Sequence, residues 1–282
     1  MIAASVLEPF QFAFFRNGLA VSTIAGLLCG MLGVFVVLRG MSYIGHGLSH
    51  AVFGGAAASA VMNLNYFLGA GVWGVWSGVL IGRISRRRII GADAAIGVVT
   101  TASFALGLAL LNRYGQAKKS IEAVLFGSVL GVKTTDIVAV SVVTVAVAVA
   151  ITLGYRRMVF ATFDPEVAEV TGVKVQWVEL ALMVMLSLTI LVTMRVIGTL
   201  LISALLVIPA SIARMLTKSF ARMMFVAPAI GAFIGFFGMF ASYHLNTSAS
   251  ATIILVGAVL FVGVYTITGA SGRSRIAAMH HL

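Results

Sequence analysis

Residues 18–38 read Gly18-Leu-Ala-Val-Ser-Thr-Ile-Ala-Gly-Leu-Leu-Cys-Gly-Met-Leu-Gly-Val-Phe-Val-Val-Leu38, a run without a single charged side chain. About 20 predominantly apolar residues are enough for one helix to cross the hydrocarbon core of a bilayer. Backbone N–H and C=O groups find no water there, so a spanning segment must satisfy them within its own helix. The run therefore predicts a transmembrane α-helix.

Eight more apolar segments follow along the chain. Of its 282 residues, 61% are hydrophobic and only 10% are charged, whereas a soluble domain carries about 25% charged residues. This composition excludes a soluble enzyme and predicts one all-α polytopic membrane domain, residues 1–282, surrounded by lipid. About nine transmembrane helices are expected, near residues 18–38, 47–63, 66–82, 94–111, 137–153, 178–193, 196–213, 223–241 and 250–268.

The net charge of +11 fits the basic loops of a membrane protein better than a surface for nucleic acid, so no nucleic-acid partner is expected. The loop 83–93 holds Arg83, Arg86, Arg87 and Arg88 and is assigned to the cytoplasm. Alternation of nine spans then places 13 of the 19 basic residues inside. This asymmetry predicts a multi-pass protein of the inner or plasma membrane, with its N-terminus outside and its C-terminus in the cytoplasm.

Two connections between the predicted spans are longer than turns. Residues 112–136 face outward in this topology and contain a short apolar piece, 124–130. This piece is too short to span the bilayer, so it is expected to form a re-entrant or interfacial helix. Residues 154–177 form the second long connection, on the cytoplasmic side.

The cytoplasmic connection carries the signals of a short helix. Asp164 is a good N-cap, and Pro165 suits the first helical position. Gly172 can adopt the left-handed conformation that ends a helix. Val167 and Val170 lie three residues apart and can share one face. This pattern fits either an ordinary structured loop or a docking helix for a cytoplasmic subunit.

His46 and His50 are four residues apart, so they share a helix face if the second span begins by residue 46. Imidazole is the commonest metal ligand in proteins, and ionisable residues within spans are functional candidates. The pair could therefore contact a divalent transition metal, with further ligands from elsewhere. Alternatively, backbone carbonyls or water satisfy two histidines near a helix end. His244, near the outer end of the eighth span, could meet arriving metal, but it is interpreted as an interfacial residue.

Two pairs of glycines have the spacing of close helix packing: Gly26 with Gly30, and Gly231 with Gly235. Each pair could lie in a contact within the chain or between two copies of it. We expect the contact within the chain.

With these segments in hand, the chain resembles the permease subunits of zinc/manganese/iron ABC importers, the ABC-3 family, over essentially its whole length. Four segments in this order carry the resemblance. They are residues 38–52, which include Ser-His-Ala-Val at 49–52; Ala-Asp-Ala-Ala-Ile-Gly-Val-Val at 92–99; Phe-Asp-Pro-Glu-Val-Ala-Glu-Val-Thr-Gly at 163–172; and residues 196–210, with Val-Ile-Gly-Thr-Leu-Leu and Leu-Val-Ile-Pro-Ala.

The resemblance implies the fold of a type II ABC importer membrane domain that works as a homodimer. It implies transport of Zn²⁺ or Mn²⁺, with iron as a further candidate, received from an extracytoplasmic metal-binding protein. His50 and His46 match the metal-contacting part of the translocation path, although many family members carry Asp where this chain has His46. The segment that matches the coupling helix, which docks on two copies of a cytoplasmic ATP-binding subunit, contains Asp164, Pro165, Glu166, Val167, Glu169, Val170 and Gly172.

Lys118 and Lys119 lie in the outward connection. They are candidates to steer an acidic metal-binding protein toward the outer face, an effect that salt would weaken.

No ATP-binding cassette occurs in the sequence. The nearest approach to a P-loop, residues 127–134, has three residues between its glycines, and Val132 separates the second glycine from Lys133. ATP hydrolysis is therefore expected in a partner subunit, the chain is not expected to be an enzyme, and no permanently bound cofactor is expected.

The alternative function is an ion-gradient-driven secondary transporter. Such proteins usually bury carboxylates in their spans as ion or proton relays. All eight acidic residues here fall in predicted loops or at span ends, which disfavours ion coupling.

Overall fold

The computed structural model describes residues 8–86, 91–114 and 131–279, and these residues are almost entirely helical. A short 3₁₀ helix, Glu8–Gln11, precedes the first long helix. The α-helices of the described residues are α1 (Ala13–Leu38), α2 (Ile44–Val61), α3 (Tyr66–Arg86), α4 (Ala92–Tyr114), α5 (Thr134–Phe163), α6 (Pro165–Val170), α7 (Val175–Ile197), α8 (Thr199–Leu216), α9 (Phe220–Leu245) and α10 (Ala249–Met279).

A long helix corresponds to each of the nine apolar segments, and the predicted all-helical membrane domain is confirmed to that extent. Two predicted bounds differ: α2 ends at Val61, and Gly198 divides the segment 196–213 between the end of α7 and α8. Seven of these helices, as far as the structure describes them, are long and apolar enough to cross a membrane: α1, α3, α4, α5, α7, α9 and α10. The other two fall short for visible reasons. α2 carries two histidines among glycines and serines, and the apolar part described for α8 is only Ile202–Leu216. The count of nine spans stays a prediction.

The connection predicted at residues 154–177 is shorter than the sequence suggested. Residues 154–163 were expected in a loop, but α5 continues through them and ends at Phe163. The apolar run stops at Arg156 and Arg157, whereas the helix does not, because the exposed side chains of both arginines leave the backbone hydrogen bonds unaffected. The expected helix at 124–130 lies outside the described residues, as do Lys118 and Lys119.

The bundle is built around α1, the most buried of the candidate spans. It packs against α9, α8, α5 and α7, while α2 packs against α4, α3, α8 and α7. Outward-facing apolar side chains, such as Val142 on α5 and Leu255 on α10, remain exposed. In a bilayer these faces meet lipid or another protein rather than water.

The glycine pairs form the contact between α1 and α9. A Cβ atom added at Gly26 would overlap the carbonyl group of Gly231, and one added at Gly235 would overlap the carbonyl group of Ser22. A Cβ at Gly30 would overlap the backbone of Ala227. The predicted contact within the chain is confirmed: the two helices touch backbone to backbone, which locks them into one body.

Gly231→Ala is expected to destabilise the bundle by about 2 kcal/mol, because the new methyl group must push two backbones apart. The measurement is the thermal unfolding midpoint in detergent. Gly263→Ala on α10 is the matched control, since nothing lies within 4 Å of its Cβ position. Equal midpoints for the two variants would contradict the backbone-to-backbone contact.

Candidate functional site

The histidine pair lies on the first two turns of α2. Because α2 begins at Ile44, His46 and His50 share one face, and a hydrogen bond joins their Nε2 atoms at 3.2 Å, with one ring as the donor and the other as the acceptor. Two nitrogens that bind one ion at about 2.1 Å in a tetrahedral arrangement stand about 3.4 Å apart. The predicted common face is therefore confirmed, and its geometry is compatible with two rings sharing one cation.

Packing holds the rings in place. The ring of His50 meets the edge of Phe104 on α4 at a centroid distance of 4.8 Å, and the ring of His46 lies 6.0 Å from that of Tyr43. The Ser49 hydroxyl donates to the backbone carbonyl of His46 at 2.7 Å, so it supports the helix rather than a ring. The buried Nδ1 of His50 has no hydrogen-bond partner among the described residues. Its ring orientation thus depends on Phe104 and His46.

Within the described part of one chain, no further His, Cys, Asp or Glu side chain completes a metal site around the histidine pair. No group of three or more His, Cys, Asp or Glu side chains that could hold a metal ion occurs there. A transition metal usually takes four ligands or more, so the remaining ones would come from water, carbonyl groups or another chain.

The short helix predicted within residues 154–177 is present as α6, Pro165–Val170. Asp164 is its N-cap, and its carboxylate accepts a hydrogen bond from the backbone N–H of Val167 at 3.0 Å. Gly172 follows the helix with a φ of +87°, a conformation that favours glycine. The local signals in the sequence therefore identified both ends of the helix.

One side of α6 is buried against the bundle, and the other side is exposed. Ala168 is fully buried, and α6 packs against α5 and α7. Val170 is 89% exposed and Val167 is 45% exposed, so the two valines form an apolar surface that the described residues leave uncovered. We name Val167 and Val170 the valine face.

Asp164→Ala is expected to loosen α6 by about 1 kcal/mol, which is about fivefold in its opening equilibrium, because the N-terminal amides lose their acceptor. Hydrogen exchange of the amides of residues 166–170 measures this opening. Asp164→Asn keeps a capping oxygen and serves as the control. If residues 166–170 exchange no faster in Asp164→Ala than in the wild type, the carboxylate does not act as a cap.

Arg39 joins three segments at the end of the bundle that carries α6. It is the C-cap residue of α1, and its side chain is only 9% exposed. Its Nε donates to the hydroxyl of Thr162 on α5 at 3.2 Å, and its Nη1 lies 4.0 Å from Oε1 of Glu179 on α7. We name these three side chains the Arg39 clasp. In the sequence, Arg39 was noted only as one of the basic residues and as part of the segment 38–52, because partners this distant along the chain leave no local signal.

A cavity of about 450 Å³ opens beside the clasp. Arg39 and Glu179 line it together with Pro165, Glu166 and Glu169, so α6 forms part of its wall. Arg39, Glu179 and α6 therefore face the same space.

The comparisons with known proteins agree with this architecture. The ABC 3 transport family matches residues 11–268. A manganese import system permease protein, ScaB of Streptococcus parasanguinis, is 36% identical over 96% of both chains, and a manganese transport system membrane protein, MntC of Listeria monocytogenes, is 33% identical over 89% of both. A solved structure, PsaBC from Streptococcus pneumoniae in complex with Fab, matches with a TM-score of 0.83 and 34% identity, over 94% of this chain and 95% of that one.

The chain therefore belongs to the ABC 3 transport family, as its sequence motifs indicated. Members of this family are membrane permease subunits of ABC transporters. They are not themselves catalytic, because the ATPase is a separate subunit. This assignment replaces the alternative of a secondary transporter driven by an ion gradient.

Proposed function

We propose that the chain is the permease of an ABC importer that moves a divalent transition metal into the cytoplasm, with Mn²⁺ as the first candidate. The observation that carries the proposal is the pair of imidazole nitrogens 3.2 Å apart on α2. The names of the relatives from Listeria and Streptococcus support manganese as the cargo.

Zn²⁺ is the second candidate, and iron is the third. Imidazole binds several of these metals. Because His46 supplies an imidazole where the resemblance implies a carboxylate, the preference of the proposed site would shift toward a softer ion. A relative from Haemophilus influenzae is named for iron transport and is 33% identical over 91% of this chain. In this proposal, His50 and His46 contact the ion while it crosses.

The proposed assembly has the type II importer architecture, in which two copies of this chain enclose the path. A second copy would supply the ligands that the histidine pair lacks. Two ATP-binding subunits would dock on the α6 helices through Asp164, Pro165, Glu166, Val167, Glu169, Val170 and Gly172. The exposed valine face supports this placement, because apolar surface beside a membrane domain favours a partner.

An extracytoplasmic metal-binding protein would deliver the ion on the opposite side, where Lys118 and Lys119 would steer it. This arrangement requires the predicted orientation, with the N-terminus outside and the C-terminus in the cytoplasm. The whole chain then acts as a single membrane domain that carries the ion without a resident cofactor.

The test is the total content of manganese, zinc and iron in cells with and without this chain, grown in chelated medium. We expect manganese to fall in cells that lack the chain and to recover when the intact gene is restored. A fall in zinc or iron alone would reassign the cargo. Unchanged levels of all three metals, in a strain without other importers for them, would refute the metal proposal.

A further inference from the structure

The Arg39 clasp brackets the docking helix from both sides. Thr162 lies two residues before the N-cap Asp164, and Glu179 lies in the second turn of α7, which follows α6. α6 is short and its buried anchor is Ala168, so it moves together with its two flanks. Both flanks touch the same guanidinium group, and any displacement of α6 therefore displaces or breaks the clasp.

On its other side, Arg39 leads directly into the histidine helix. The chain leaves α1 through a hydrogen-bonded turn, in which the N–H of Gly40 donates to Val37 at 3.2 Å and that of Met41 to Val36 at 3.0 Å. The N–H of Ile44, the first residue of α2, in turn donates to the carbonyl of Met41 at 2.9 Å. The connection between Arg39 and the first turn of α2 is thus a continuous, ordered segment.

The charge and the burial of the Arg39 guanidinium group favour an intact clasp. A guanidinium group keeps its charge, and leaving it buried without a partner is strongly unfavourable. The Thr162 hydroxyl donates to the carbonyl of Met158 at 2.7 Å, which turns an oxygen lone pair toward the Nε of Arg39. The end of α5 and the start of α7 are therefore expected to move together with Arg39 rather than to separate from it.

We propose that Arg39 is a positioning residue of the transport cycle, and that the Arg39 clasp passes the displacement of α6 to the start of α2, where His46 and His50 lie. The inference rests on the proposed function, since it assumes that an ATPase docks on α6 and that the cargo passes α2. A merely structural role would make loss of the clasp lower stability and all activities together.

The first test measures Mn²⁺ uptake and ATP hydrolysis together, in vesicles that contain the permease and its ATPase, with Mn²⁺ supplied on the extracytoplasmic binding protein. Thr162→Val removes the hydroxyl but keeps the branched shape, and it is expected to lower the Mn²⁺ moved per ATP by about threefold at an unchanged ATPase rate. Thr162→Ser restores the hydroxyl and is expected to restore the ratio.

Thr152→Val is the matched control on the same helix, because the Thr152 hydroxyl donates to the carbonyl of Val149 within α5. We expect this variant to keep the wild-type ratio. If uptake and ATP hydrolysis fall in proportion in Thr162→Val, or if the Mn²⁺ moved per ATP stays at the wild-type value, the clasp does not transmit the displacement of α6.

A second readout does not depend on the cargo. Spin labels on cysteines introduced at Tyr43, Thr171 and Phe225, all exposed, report distances in the assembled complex in a Cys29→Ser background. Phe225 lies on α9, which carries no residue of the clasp, and serves as the reference. In the wild type, ATP is expected to change both the Thr171–Phe225 and the Tyr43–Phe225 distances. In Thr162→Val only the first change is expected to remain.

The two readouts separate the clasp from the function on which it rests. If the wild type moves no Mn²⁺, Zn²⁺ or iron, while ATP still shifts Tyr43 through Thr162, the cargo is wrong and the clasp is supported. If Tyr43 never responds to ATP, or responds equally in Thr162→Val, the clasp proposal is overturned whatever the cargo.

Discussion

His50→Ala is expected to lower the rate of Mn²⁺ uptake by about tenfold or more, because an ion on the path then loses one of two closely spaced nitrogen ligands. The Nε2 atoms of His46 and His50 are 3.2 Å apart, so removal of one ring leaves a single nitrogen at this point. Uptake is measured in cells in chelated medium, alongside the amount of permease that co-purifies with its ATPase.

His244→Ala is the matched control for this result. His244 is exposed at the far end of α9, where its ring packs against Phe240 and Tyr243, and its loss is expected to leave uptake unchanged. An equal fall in both variants would mean that the loss of uptake is not specific to the histidine pair on α2. A fall in His50→Ala caused only by lost assembly would be visible as less co-purified ATPase.

His46→Asp extends the same argument to the choice of metal. It replaces the imidazole beside His50 by a carboxylate, and oxygen ligands favour Mn²⁺ relative to softer ions. We expect uptake to persist, with the preference shifted from Zn²⁺ toward Mn²⁺. Loss of uptake equal to that in His50→Ala would show that both rings are required.

Sequence patterns predicted those parts of the molecule that depend on neighbouring residues. Asp164, Pro165 and Gly172 identified α6, because caps act within a few residues of the helix end. His46 and His50 shared a face because four residues are about one helical turn. Apolar runs located the nine long helices for a similar reason, since lipid acts on each span separately.

The features that sequence patterns missed depend on distant partners or on solvent. The end of α5 at Phe163 was missed because a helix can continue beyond the apolar surface that the bilayer requires. Arg39 and Thr162 are separated by 123 positions in the sequence, and no local pattern near either residue predicts their contact. The glycine spacing predicted close packing on α1 and on α9, but only the fold shows that each pair meets the other helix.

Val170→Asp is expected to reduce the ATPase that co-purifies with the permease by about tenfold, because it places a carboxylate at the most exposed point of the valine face. Val170 is 89% exposed, and its side chain makes little contribution to the packing of the bundle. The change should therefore break docking while leaving the membrane fold intact. The stoichiometry of the purified complex and the thermal unfolding midpoint of the permease alone measure the two effects separately.

Two control variants make this result specific. Val170→Leu keeps an apolar surface and is expected to retain the ATPase. Leu245→Asp makes the same apolar-to-charged change at an exposed residue at the opposite end of the bundle, where no ATPase is expected. If Val170→Asp still co-purifies with its ATPase at the wild-type stoichiometry, α6 is not the docking helix. The displacement that the Arg39 clasp is proposed to transmit would then have to begin on another segment.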